Sequence, residues 1–98
     1  IVRDRIPEII ETAGKKARCE YAGKAEVIDG LEAKLSEELT EYFESHSIEE
    51  LADLLEVMHG ILYHKGITWE ELERVRQEKR AQRGGFEKGT RLLEVEEP

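Results

Sequence analysis

Two acidic segments that lie close together in the sequence carry the residues best suited to chemistry. In the first, Glu38 and Glu41 are three residues apart, and in the second Glu50 and Asp53 have the same spacing. On a helix this spacing places both carboxylates of a pair on one side. If the two helices fold back on each other, four carboxylates meet, and a cation between them relieves their repulsion. Hard oxygen ligands in that number suit Mg²⁺ or Mn²⁺.

The same pattern also fits two soluble amphipathic helices with ordinary acidic surfaces, because glutamate-rich helices are common. At about 100° per residue, Glu38 lies roughly 70° from the centre of the apolar stripe on its helix. On the next helix, Glu50 lies roughly 80° and Asp53 roughly 140° from the centre of the stripe. Carboxylates at the edges of both helices are what a metal site between helices requires, so the sequence leaves both interpretations open.

A second candidate site is basic. Lys79, Arg80 and Arg83 lie within one and a half turns at the end of a predicted helix and precede two glycines. Such a group can bind phosphate through its charges and through close approach of the glycine backbone. The alternative is complementation of the helix dipole followed by a glycine stop. Arg3 and Arg5 form either a surface salt-bridge cluster or part of a site.

The elements that position these residues are predicted to be helices. Aspartate, serine and threonine residues stand where N-caps are expected, and two of them begin capping boxes, Ser47 with Glu50 and Thr68 with Glu71. Residues 15–28 are expected to form a loop with a brief strand. The predicted helices run from Pro7 to Gly14, from the N-cap Asp29 to about Ser45, from Ser47 to about Lys65, and from Trp69 to about Arg83. The fold class is therefore all-α, a bundle of about four helices with a central antiparallel helix pair.

The bulk composition indicates one small domain over residues 1–98 that needs a partner. Apolar and charged residues each make up 39% of the 98 residues. Long helices with narrow apolar faces in so short a chain favour a homo-oligomer, a dimer or a tetramer, in which a second subunit completes the core. The net charge of −8 argues against binding to a nucleic acid polymer. A single cysteine and the lack of a long apolar run favour a cytoplasmic protein without a membrane segment.

The order of these motifs resembles the all-α nucleoside triphosphate pyrophosphohydrolases, the MazG-like and phosphoribosyl-ATP pyrophosphohydrolase-like superfamily. Its hallmark, Glu-Glu-x-x-Glu followed by Glu-x-x-Asp, is matched by residues Glu37–Glu41 and Glu50–Asp53. The segments Val2–Ile10 and Lys79–Phe86 are similar to the beginning and end of a branch of predicted house-cleaning enzymes. The similarity covers nearly the whole chain in order.

The resemblance implies a Mg²⁺-dependent enzyme that cleaves a nucleoside triphosphate to the monophosphate and pyrophosphate. It implies that Glu37 or Glu41 orients or deprotonates the attacking water, with Glu38 beside them in the catalytic group. The implied metal ligands are Glu38, Glu41, Glu50 and Asp53.

The resemblance also implies a role for the basic residues, which would neutralise the triphosphate: Lys79, Arg80 and Arg83, with Arg3 and Arg5. Two alternatives stay open. One is hydrolysis of phosphoribosyl-ATP. The other is a non-catalytic acidic helical module that binds a protein partner or senses a metal or nucleotide.

Overall fold

The structure of the protein, a computed structural model, describes all 98 residues and contains four α-helices without any strand. The predicted all-α class and the number of helices are confirmed. The helices are α1 (Ile6–Thr12), α2 (Lys24–Ser45), α3 (Ile48–Lys65) and α4 (Trp69–Arg83). None of them combines the length and the apolar character that crossing a membrane requires.

Helices α2 and α3 form the predicted antiparallel pair, joined by a turn of only two residues. His46 ends α2 in the left-handed conformation, with φ of 55°, and its N–H donates to the carbonyl of Tyr42 at 2.7 Å. The centre of the helix pair is small, because Leu31 and Val57 are its only buried apolar residues. Gly60 allows close packing there, since a Cβ at this position would lie 3.3 Å from Cδ1 of Leu31.

The structure corrects the predicted start of α2. The helix begins at Lys24 with Gly23 as its N-cap, so the prediction of Asp29 as the N-cap is wrong. The brief strand expected within residues 15–28 is also wrong, since residues 24–28 are helical and the rest are irregular. Val27 lies one turn before Leu31, so the extra turn lengthens the side of α2 that faces α3.

Helices α3 and α4 begin where predicted, whereas α1 begins one residue before the predicted Pro7, at Ile6. Only one of the predicted caps has the expected hydrogen bond. Thr68 accepts a hydrogen bond from the backbone N–H of Glu71 at 3.1 Å, as its capping box predicts. Ser47 is the N-cap of α3 without a side-chain cap. Its hydroxyl instead accepts from the hydroxyl of Ser45 at 3.2 Å.

The chain divides into two compact units, Ile1–Ile67 and Thr68–Pro98. The first unit contains α1, α2 and α3 and all of the acidic residues predicted for the metal site. The second contains α4 and an irregular segment that follows Arg83, in which every residue is exposed. The predicted acidic site and the predicted basic group thus belong to different units.

Candidate functional site

Three of the predicted carboxylates lie together between α2 and α3. Glu38 comes from the middle of α2, and Glu50 and Asp53 come from the first turns of α3. One carboxylate oxygen from each residue lies within 4.8 Å of the others. The antiparallel arrangement explains the meeting, because the short turn brings the C-terminal half of α2 beside the N-terminal half of α3. We call Glu38, Glu50 and Asp53 the carboxylate cluster.

The carboxylate cluster is partly removed from water. Glu38 retains only 7% of its accessible surface, and Glu50 and Asp53 are half-buried. The Oε2 atoms of Glu38 and Glu50 are shielded from solvent and have no hydrogen-bond partner. A buried anionic oxygen without a partner is costly, and most such oxygens are paired or coordinate a metal. Oxygen ligands that face one another at this separation can hold a small divalent cation.

Two basic side chains partly balance the cluster. The Lys34 ammonium lies 3.5 Å from Oε1 of Glu38, and the Arg3 guanidinium donates to Oδ1 of Asp53 at 2.8 Å. Each of these cations engages one oxygen of its partner, and neither engages an orphaned Oε2 atom. The cluster is therefore stabilised by protein cations but retains unpartnered oxygens.

Burial raises the pKa of the Glu38 carboxyl above its ordinary value. A side-chain hydrogen bond with Glu41 and the negative charges of Glu41 and Asp53 raise this pKa further, while Lys34 opposes the shift. A divalent cation would act in the opposite direction, because it favours the ionised form.

The remaining predicted acidic residues lie beside the cluster or outside it. Glu41 is half-buried and contacts Glu38, but it does not belong to the group of three whose oxygens converge. Glu37 is exposed on α2. Of the two N-terminal arginines, Arg3 reaches the cluster, whereas Arg5 pairs with Glu8 at 3.3 Å.

The basic residues predicted to bind phosphate lie near the end of α4, and all are exposed. Arg80 donates to Glu87 at 2.7 Å, and this contact lowers the pKa of Glu87. Arg83, Lys88 and Arg91 line a concavity of about 810 Å³ formed by the segment that follows α4. Sequence reasoning did not select the last two of these cations, although both lie in the basic segment that contains Arg83.

A groove of about 610 Å³ lies beside the carboxylate cluster. Arg3 and Lys34 line it, and these are the cations that pair with the cluster, so the groove and the cluster are contiguous. His59 and Tyr63 line the same groove. Sequence reasoning missed Lys34, although its position four residues before Glu38 is the spacing of a helical ion pair.

Comparisons of the chain with protein-family models, with curated proteins and with solved structures found no match. The resemblance to the all-α pyrophosphohydrolases thus depends on the motifs quoted above.

Proposed function

We propose that the protein is a Mg²⁺-dependent pyrophosphohydrolase of nucleoside triphosphates, of the MazG-like class. One observation carries the proposal. A partly buried carboxylate cluster between two helices contains two solvent-shielded oxygens, on Glu38 and Glu50, that have no hydrogen-bond partner. Such an arrangement is costly for a solvated acidic surface and favourable for a cation site. The class of reaction is taken from the resemblance to the all-α pyrophosphohydrolases, which is based on the order of the motifs along the chain.

In the proposed reaction, water attacks the α-phosphorus of the nucleotide, the bond to the bridging oxygen breaks, and the products are a monophosphate and pyrophosphate. Glu38, Glu50 and Asp53 would hold the metal ion. Bound Mg²⁺ or Mn²⁺ would offset charge on the phosphoryl oxygens and make bound water more acidic. Glu41 would accept the proton of the attacking water, a role supported by its half-buried position next to Glu38. Glu37, exposed one residue before Glu38, is the second candidate for this role.

The groove beside the cluster is the proposed place for the organic part of the nucleotide. Its volume of about 610 Å³ lies within the usual range of small-molecule sites, about 300–1,000 Å³. Arg3 and Lys34 lie between this groove and the carboxylates, where they can neutralise phosphate oxygens. Lys79, Arg80 and Arg83 remain further predicted triphosphate ligands.

The test is pyrophosphate release from a panel of NTPs and dNTPs with Mg²⁺, using the wild type, Glu38→Gln and Asp53→Asn. We expect each substitution to lower the rate by at least about 100-fold, the scale seen when one electrostatic group of an active site is removed. Glu32→Gln is the matched control, because it makes the same change at an exposed position of α2. Full activity in either cluster variant would rule out this site.

The same panel separates the alternatives. Turnover of phosphoribosyl-ATP alone would favour the related pyrophosphohydrolase of that substrate. Retained binding of Mg²⁺ or nucleotide without turnover of any compound would favour a non-catalytic binding module. We further propose that the protein acts in the cytoplasm and as a homo-oligomer, as its composition predicts.

A further inference from the structure

The groove runs along α3 away from the carboxylate cluster, and two contacts fix its direction. Glu38 of α2 meets Asp53 of α3 within the cluster. Leu31, seven residues earlier on α2, lies against Gly60, seven residues later on α3, where a Cβ on the glycine would be 3.3 Å from Cδ1 of Leu31. The two helices therefore stay in register over about 10.5 Å, and each residue that lines the groove can be placed by its distance from the cluster.

The character of the groove changes along this direction. Beside the cluster it is lined by two cations, Arg3 and Lys34, which pair with the carboxylates. Glu56 follows about one turn along α3, and the part farther from the cluster includes Leu31 and Tyr63. Cations, then a carboxylate, then apolar and aromatic groups suit the phosphates, the sugar and the base of a nucleotide, in the order in which these parts are bonded.

Glu56 is the one residue of α3 that brings a carboxylate into the groove. It lies three residues after Asp53, a spacing that makes two side chains neighbours on a helix and separates them by about 4.5 Å along its axis. Glu56 is exposed, and the hydrogen bonds and ion pairs of the chain leave its carboxylate without a partner. Its two oxygens are thus acceptors open to a ligand in the groove.

We infer that Glu56 accepts hydrogen bonds from the sugar hydroxyls of the nucleotide, which makes ribonucleoside triphosphates, rather than their 2′-deoxy counterparts, the substrate class. The inference rests on the proposed function, since it places the α-phosphate at the carboxylate cluster. The sugar is joined to the α-phosphate through one oxygen and one methylene group, so it must lie within about one turn of α3 from Asp53. One carboxylate can accept from the neighbouring 2′ and 3′ hydroxyls at once, and acidic residues bind ribose in this way in dinucleotide sites.

The other parts of the nucleotide suit the position of Glu56 less well. A phosphate oxygen would be repelled by its carboxylate, whereas Arg3 and Lys34 offer cations beside the cluster. A base gains most from apolar and aromatic contacts, which lie farther along the groove at Leu31 and Tyr63. The sugar hydroxyls are neutral donors, so a carboxylate binds them without repulsion.

The experiment compares each NTP with the dNTP of the same base, by kcat/KM for pyrophosphate release in Mg²⁺. The same comparison is made without turnover, by calorimetric Kd values for the α,β-methylene analogues of both sugars. The wild type should favour the ribonucleotide by at least about tenfold, the scale of one hydrogen bond to a charged group. Glu56→Ala should bring this ratio close to one. The lost negative charge affects both sugars equally, so it cancels in the ratio.

Two control variants separate a sugar contact from a change of charge. Asp4→Ala removes another carboxylate that lines the groove and should leave the ratio unchanged. Glu32→Gln alters a glutamate of α2 outside the groove and should change neither the rates nor the ratio. Glu56, Asp4 and Glu32 are all exposed, so the three variants should keep the helical content of the wild type.

The outcomes distinguish this inference from the proposed function. A wild type that cleaves NTPs and dNTPs equally well, or prefers dNTPs, would overturn the inference and leave the proposed function standing. A ribose preference that survives Glu56→Ala, or that Asp4→Ala abolishes instead, would also overturn it. Ribose-selective binding that depends on Glu56 but leads to no turnover would support the sugar contact and overturn the proposed reaction. A wild type that binds neither analogue would overturn both.

Discussion

The carboxylate cluster makes a sharp prediction about stability in the absence of metal. Replacing Glu38 by glutamine removes one negative charge from the group while keeping the size of the side chain. In a chelator, we expect Glu38→Gln to be more stable than the wild type. In Mg²⁺ the order should reverse or the difference should vanish, because the wild type alone retains the full set of ligands.

The magnitude follows from the distances. Two unit charges at 4.8 Å, the upper limit for the separations within the cluster, repel by about 0.9 kcal/mol in water and about 3.5 kcal/mol at an effective dielectric constant near 20. Glu38→Gln removes two such pairs within the cluster, so the relief is about 2–7 kcal/mol. The lost repulsion from Glu41 adds to this relief. It also removes the attraction to Lys34 at 3.5 Å, about 1–5 kcal/mol on the same scale. The net stabilisation is therefore about 0.5–2 kcal/mol. Burying the neutral glutamine also costs less than burying a carboxylate, which adds to this gain.

The assay is thermal and urea unfolding at pH 7, first in EDTA and then in Mg²⁺. A gain of about 0.5–2 kcal/mol corresponds to a rise in Tm of about 2–16 °C for a domain of this size. Wild type in Mg²⁺ at 100 times its Kd should gain about 2.7 kcal/mol, and Glu38→Gln should gain much less. Glu32→Gln should change stability by no more than about 0.5 kcal/mol in either buffer.

Two results would refute this reasoning. One is a Glu38→Gln variant less stable than the wild type in EDTA, which would mean that Lys34 compensates the cluster completely. The other is a wild type whose Tm is the same in EDTA and Mg²⁺ while Mg²⁺ binding is absent by calorimetry. In that case the cluster would be an acidic surface that tolerates its own repulsion.

Three further predictions concern single groups. In the presence of a chelator, protonated Glu38 favours the folded state, because its pKa is raised by folding. This contribution to stability is fully present below the ordinary pKa of 4.5 and is lost as the pH rises through the raised pKa of the folded state. Unfolding free energies measured from pH 4 to pH 8 should show this fall in the wild type and lack it in Glu38→Gln; equal profiles would contradict the assignment. Arg3→Gln should cost no more than about 1 kcal/mol of stability, because its pair with Asp53 is largely exposed, and should tighten Mg²⁺ binding in calorimetry by removing a competing cation. Thr68→Ala should destabilise the start of α4 by about 1 kcal/mol, seen as faster hydrogen exchange of the Glu71 amide, while an unchanged exchange rate would show that the cap is dispensable.

Local sequence signals predicted the helices well where nothing else competed for the same residues. Thr68 and Glu71 form the predicted cap because both groups are near the surface and have no better partner. Ser47 marks the start of α3, yet its hydroxyl interacts with Ser45, and Glu50 is directed into the carboxylate cluster. A capping pattern cannot register such competition, because the competing group lies on another helix.

Sequence periodicity underestimated how deeply Glu38 is buried. The apolar stripe of α2 includes residues such as Leu39 and Phe43, which the structure leaves exposed. The centre of the stripe therefore lies away from the surface that contacts α3, where Leu31 and Glu38 are buried. Periodicity detects apolar residues without distinguishing which surface they cover, so it placed Glu38 at an edge.

Only two residues link α2 and α3, so the number of residues between the two acidic motifs determines which side of α3 faces α2. Inserting one residue after His46 would have to be absorbed by the turn or would rotate α3 by about 100°, enough to swing Asp53 away from Glu38. A designer who wishes to transplant the carboxylate cluster should therefore move residues 38–53 as one uninterrupted segment and leave the length of the turn unchanged.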